Sequence, residues 1–273
     1  MKHHWFSPIP VSLGFQRASG RHLASCRPER AASSCFILAV VLSGLCSLAF
    51  SARAAGNDQG ERLLALLHKM ESHYASLNDY SAIFRKQERI KNKIYDERLI
   101  IKFQKPLKVY MKWIDIDREA LYVEGEYDNK ILVHRGGLLG FKTWKFNPWD
   151  YAPMLDNRHP VTEIGFGFIL GIMHKDFTTA VQYGEVEITR LDDESFDGRP
   201  STIIEATFTP HEGRQYYTTR LVCHVDKEFM LPVGIACYDE KGDLQELYTY
   251  EDVKLNPGLT DLDFSNKNKQ YHF

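Results

Sequence analysis

The residues that could do chemistry are few and scattered. His159, His174, His211 and His224 stand in different local contexts, with no two at helical i,i+4 spacing and none in a CxxC-type arrangement, the spacings that make metal sites legible. No metal is expected from them. Asp115, Asp117 and Glu119 in IDIDREA imitate the opening of a calcium loop. They lack its glycine and its distal bidentate acid, so the stretch reads as a solvated turn. Arg158 beside His159 offers either an anion contact or a loop and capping role. No GxSxG elbow, phosphate-cradling glycine loop or Cys–His pair is present. The expectation is therefore a protein with no catalytic residues and no cofactor.

Cys223 and Cys237 are the remaining reactive side chains. TTRLVCHVD and VGIACYDE flank KEFML and Pro232, which reads as a hairpin. Pairing about the centre of that loop sets the cysteines opposite each other. A cross-strand disulfide is expected, with two buried free thiols as the alternative.

A second kind of chemistry is apolar. In KFQKPLKVYMKW, Pro106 suits an edge, a bulge or a strand start, having no backbone N–H. Beyond it Leu107, Val109, Met111 and Trp113 share one strand face, and Lys108, Tyr110 and Lys112 the other. The lysines meet acids of nearby strands, Glu88, Asp96, Glu97 and Glu119, in ordinary cross-strand pairing. On the greasy face Phe103, Met111, Trp113, Tyr122, Trp144 and Phe146 are large enough to line a curved sheet. They form either a plain core under a helix or a groove for an acyl chain. One helix is little cover for so many strands, which favours the groove; Phe166 and Phe168 of a mid-chain apolar segment are counted with it.

The elements that must position these residues follow from period. Leu63, Leu64, Leu66, Leu67, Met70, Tyr74 and Leu77 fall at helical spacing, with Asp58 and Glu61 as a capping box, predicting one long amphipathic helix. From Asp79 the period becomes two. DYSAIFRKQERI and IYDERLIIKF around the turn KNK predict a long hairpin, and short strands with Gly-rich turns continue it into an antiparallel meander. NRHPVTEIGFGFILGIMHKDFTTAVQYG interrupts the meander as a helix-compatible segment. Gly165, Gly167 and Gly171 each weaken a helix by about 1 kcal/mol, so it either packs closely or moves.

The N-terminus reads as an export signal. Lys2, Arg17, Arg21, Arg27 and Arg30 precede the uncharged run CFILAVVLSGLCSLAF, which is short for a bilayer span of roughly 20 residues. Ala52 and Ala54 supply the small-x-small pattern of a cleavage site. Cleavage near Ala54 gives a periplasmic chain, residues 55–273, as a single domain; an uncleaved anchor is the alternative. Six of the 34 basic and one of the 36 acidic residues fall in 1–54, leaving 28 against 35 and a formal charge of −7. An acidic protein is a poor ligand for phosphate backbones, so no nucleic acid is expected.

FQKPLKVYMKW and HVDKEFMLPVGIACYDEKGDLQELYTYEDVKLN resemble strands of the LolA/LolB outer-membrane lipoprotein carriers and of the periplasmic sensor RseB. KPLKVYMKW, REALYVEG, NRHPVTEIG and DLDFSNKNKQYHF resemble, more specifically, an uncharacterised secreted bacterial family of unknown function beside that group, over nearly all of Glu61 to Phe273. The resemblance implies a mainly-β, antiparallel, incomplete β-barrel with an N-terminal helix and a helical lid from Val161. It implies a monomer that holds a lipid or lipoprotein acyl chain, or a sensor that regulates a membrane-protein partner. Arg85 and Arg158 are its two candidates for the carriers' lid-locking arginine.

Overall fold

In the computed structural model, residues 58–273 are described apart from 138, 139, 141 and 212. The expected leader, 1–54, lies outside the described residues. The period change at Asp79 is realised as a switch from helix α1, residues 58–76, to strand β1, Asp79–Ile90. β2 (Lys93–Gln104), β3 (Lys108–Trp113), β4 (Arg118–Val123), β5 (Ile131–Arg135) and β6 (Thr143–Phe146) follow as a meander. A short helix α2 (Tyr151–Met154) and a long one, α3 (Phe166–Tyr183), come next. A second meander then runs through β7 (Val186–Phe196), β8 (Arg199–Phe208), β9 (Arg220–Asp226), β10 (Leu231–Tyr238) and β11 (Leu244–Leu255).

The two meanders join where β1 pairs with β11, giving one antiparallel sheet in the order β6-β5-β4-β3-β2-β1-β11-β10-β9-β8-β7. Its ends do not pair, so the sheet is an open half-barrel, as expected. Tyr80 opposite Phe103, and Phe84 opposite both Leu99 and Tyr250, fix the register with their large side chains on the inner face. Leu63, Leu67 and Met70 of α1, and Phe166, Leu170 and Phe177 of α3, are buried in the same apolar cluster. Both helices thus cover the inner face. α3 is as substantial as α1, whereas the sequence predicts a single long helix.

α3 begins at Phe166, later than the Val161 expected for the lid, and the reason is Gly165. Its φ of +88° and ψ of 177° lie where only glycine is comfortable. A Cβ there would come within 2.3 Å of the Tyr80 hydroxyl. Gly167 packs as closely, against Tyr74, while Gly171 faces open space. Two of the three glycines therefore serve close packing.

Part of the outer face, over β3 to β5, is not the wet face expected from the sequence. The chain beyond β11 returns across it, and Tyr110 is buried beneath a stacked Tyr271, ring centroids 3.8 Å apart. Two lysines of β2 and β3 find partners in this tail rather than across strands. Lys102 Nζ lies 2.7 Å from Asp263, and Lys108 Nζ 2.6 Å from Asp261; Lys112 pairs with Glu119 at 3.2 Å, as expected. Lys105 donates instead to the carbonyls of Tyr74 and Ala75 at the end of α1, where a cation complements the helix dipole.

The disulfide expectation is corrected. Cys223 and Cys237 are free and buried. The turn is tighter than that pairing assumes, with Leu231 opposite Asp226, and a bulge between Pro232 and Gly234 recovers only one residue, so Cys223 faces Ile235 and Cys237 faces Leu221. The cysteines are diagonal neighbours, about 7–8 Å apart in such a ladder, beyond comfortable reach of a disulfide. Burial pushes the Cys223 thiol up to about 12, which keeps it protonated and unreactive.

Candidate functional site

The site is built by alternation along four strands. On β1 the inward positions are Tyr80, Ala82 and Phe84, then Lys86 and Glu88, all buried. On β2 they run back from Phe103, Ile101 and Leu99 to Glu97. On β11, Tyr250 and Tyr248 give way to Glu246, and on β4 Tyr122 and Ala120 give way to Arg118. Each strand passes from large apolar residues to charge in the same direction, so the inner face has an apolar end and a charged end.

Between that face and α3 lies a cavity of about 710 Å³, a size suited to a small organic ligand. Its sheet wall includes Phe84, Leu99, Met111, Trp113, Trp144 and Phe146. Phe168, Ile169, Ile172 and Met173 of α3 line the other side. Five of the eight expected groove residues, Met111, Trp113, Trp144, Phe146 and Phe168, thus share one cavity. Phe103, Tyr122 and Phe166 do not line it. They are core residues: Phe103 stacks on Tyr80 at 5.0 Å and Phe166 tilts against the same ring at 4.8 Å. The apolar face is a packed core at one end and lines a cavity at the other.

The charged end is closed by four consecutive residues ahead of α3. Asp156 accepts from Arg118 at 3.2 Å. Asn157 accepts from Lys86 Nζ at 2.6 Å. The Arg158 backbone N–H donates to Glu88 at 3.0 Å, and its guanidinium donates to the buried Glu246. His159 sits between Glu163 and Glu246, Nδ1 3.0 Å from the first and Nε2 3.1 Å from the second. Tyr217 donates to Glu246 at 2.6 Å and Tyr248 to Glu88 at 2.6 Å. Of the two candidates for a lid-locking arginine, Arg158 is the one that ties this segment to the sheet. Arg85 is on the other face, in an exposed pair with Asp96.

Burial opposes charge on His159, but hydrogen bonds to Glu246 and Glu163 and the charges of Glu246 and Glu88 outweigh it and raise its pKa. Burial likewise opposes charge on Glu246, yet His159, Tyr217 and Arg158 hold its pKa below the usual carboxylate value. The ionic contacts of this end are satisfied internally, so a ligand has little unpaired charge to answer. One donor stands apart: Trp113 Nε1 is buried without an acceptor among the described residues, with the Arg118 guanidinium 4.9 Å from its ring centroid. The cavity is suited to recognising apolar bulk.

The sequence reading missed Lys86, Glu88, Glu97, Arg118, Tyr217 and Glu246 as parts of the site. The signal was available for some of them, since Lys86 and Glu88 continue the inward alternation of Tyr80, Ala82 and Phe84.

A family model described as "Protein of unknown function (DUF1571)" matches residues 77–273. No curated protein matches the chain. Among solved structures it is similar to MucB, known alone and, from Pseudomonas aeruginosa, with MucA; identity is 14% and TM-score 0.43, over 76% of this chain and 62% of MucB. The chain thus spans about three fifths of MucB. It is also similar to lipoprotein LppX of Mycobacterium tuberculosis (13% identity, TM-score 0.38, 73% of this chain and 98% of that one). A LolA superfamily protein of Nitrosomonas europaea is a third likeness (12%, 0.33, 74% and 96%). Resemblance of this degree transfers neither ligand nor activity.

Proposed function

Since this chain belongs to the DUF1571 family, a grouping that brings no activity with it, we propose from its own geometry that it is a periplasmic binding protein for an acyl chain or similar lipid. One observation carries the reading: a cavity of about 710 Å³ walled by Met111, Trp113, Trp144, Phe146 and Phe168 lies between an open sheet and a helix. Apolar surface of that kind gains about 25 cal/mol for each Å² it removes from water, which an acyl chain supplies along its whole length. The charged end is already paired, so the chain rather than the head group supplies most of the affinity. Residues 1–54 act as a cleaved export signal and 55–273 as one monomeric domain. Among the described residues no helix is long and apolar enough to cross a membrane.

Protein purified without detergent and sprayed under native conditions should carry lipid-sized adducts that solvent extraction releases. Trp113→Asp should carry none while still folding. A wild-type protein that emerges empty and fails to take up fatty acid rejects the proposal.

A second reading, an envelope sensor acting on a membrane-protein partner, is favoured by Trp149, Tyr151 and Leu155. They are exposed just ahead of the segment that closes the charged end, where large apolar side chains suit a protein contact. Specific cross-linking of a membrane protein through Tyr151 would support it.

A further inference from the structure

The outer face of the sheet carries a second constellation, independent of the cavity. Glu119 and His134 are direct cross-strand partners on β4 and β5, Asp117 precedes β4, and His272 arrives on the C-terminal tail. Asp117, His134 and His272 each offer a ligand atom, all within 4.8 Å of one another. Nε2 of His134 and Nδ1 of His272 each lie 3.6 Å from the same oxygen, Oδ1 of Asp117. Ligands 2.0–2.1 Å from a tetrahedral centre stand roughly 3.3–3.4 Å apart, so little movement is needed.

We infer that Asp117, His134 and His272, with Glu119 alongside, form a binding site for a divalent transition-metal ion of the zinc class.

His134 is the independent witness. It is 3% exposed and neither of its ring nitrogens has a hydrogen-bond partner among the described residues. A buried polar atom left without a partner is costly, and a metal bond gives Nε2 one. Glu119 lies beside it, ion-paired with Lys112. It is fully buried and its Oε1 accepts no hydrogen bond, lying 3.4 Å from Nδ1 of His272 and 3.2 Å from Nζ of Lys112. Its other oxygen accepts the His272 backbone N–H at 3.2 Å. The backbone also makes room for a ligand. A Cβ on Gly136 would fall 2.1 Å from Oδ2 of Asp117, so only glycine lets that carboxylate lie where it does. His272 is placed by packing, since its neighbour Tyr271 stacks on Tyr110.

The donor set decides the metal class. Two imidazoles with carboxylate suit zinc, copper or nickel, whereas calcium and magnesium take oxygen alone. Asp117 and His272 are about half exposed, which leaves an entry path and room for a water as a further ligand. An ion here would fasten the last residues of the chain to the sheet.

The test uses the whole protein, purified without a histidine tag and stripped with chelator, then titrated calorimetrically with Zn²⁺. One equivalent should bind. Asp117→Asn and His272→Gln, both at exposed side chains and so expected to fold, should each weaken binding by at least about tenfold. Co²⁺ should give visible d–d absorption in the wild type that His272→Gln loses. Absence of saturable uptake overturns the inference, as does uptake that both variants leave unchanged.

Discussion

Arg158 and Glu246 form the contact that fastens the segment ahead of α3 to the sheet: a guanidinium reaches from a loop to a carboxylate whose side chain is 2% exposed on β11. Around it, His159 and Tyr217 bond the same carboxylate. The cover of the cavity is thereby tied to its floor by charge at one end and by apolar packing of α3 at the other.

Removing the guanidinium should loosen that end. Arg158→Ala leaves Glu246 with only His159 and Tyr217, and is expected to cost about 1–3 kcal/mol, the range for a buried group losing a charged partner. Arg85→Ala breaks an exposed pair with Asp96 and should stay within about 0.5 kcal/mol. Urea denaturation of the two variants checks the contrast. Equal effects would remove Arg158 from its role as a latch.

The latch should also respond to pH. The folded-state pKa of His159 is raised, so its contribution is fully present below the unfolded value of about 6.5 and is lost as pH rises through the folded value. Glu246 is lowered, so its contribution is present above the ordinary glutamate value of 4.5 and is lost as pH falls through the folded value. Of this pair, the histidine is the one whose ordinary value lies near neutrality. Denaturation midpoints measured across about pH 5 to 8 should therefore fall on the alkaline side in the wild type and fall less in His159→Gln. Parallel profiles would show that His159 is not coupled to the fold.

The α3 glycines should separate by role. Gly165→Ala is expected to destabilise by about 1–3 kcal/mol, because its backbone lies in a region reserved for glycine and its Cβ would strike Tyr80. Gly171→Ala meets open space inside a helix and should stabilise by up to about 1 kcal/mol. Thermal melts of the two variants give the answer directly; stabilisation of both would mean that Gly165 is not held at positive φ.

Thiol titration of denatured, unreduced protein should find both Cys223 and Cys237 free, after allowance for the cysteines of residues 1–54 wherever that segment is retained. A result with neither thiol free would require a hairpin register two residues away from the one observed.

The sheet was legible because its signal is local. Alternation in DYSAIFRKQERI and KVYMKW, with polar turns between, places strands without knowledge of their partners. The cavity wall followed from the size of Met111, Trp113 and Trp144. What stayed hidden depends on distant partners or irregular pairing. Lys86 and Glu88 look like solvated strand residues until Asn157 and Arg158 are brought onto them. The tight turn that sets Leu231 opposite Asp226 leaves the cysteines two residues out of register. Asp117, His134 and His272 have no common spacing in sequence and meet only because the tail crosses the outer face.

The central claim, an acyl chain held against Trp113 and Trp144, is tested most directly by tryptophan quenching with a brominated fatty acid, whose bromine acts only at contact range. Both indoles line the cavity, whereas Trp149 is 64% exposed and outside it. Saturable quenching at one ligand per chain is expected, reduced in Trp113→Phe and Trp144→Phe and unchanged in Trp149→Phe. Quenching that fails to saturate, or that disappears only with Trp149→Phe, would contradict an occupied cavity.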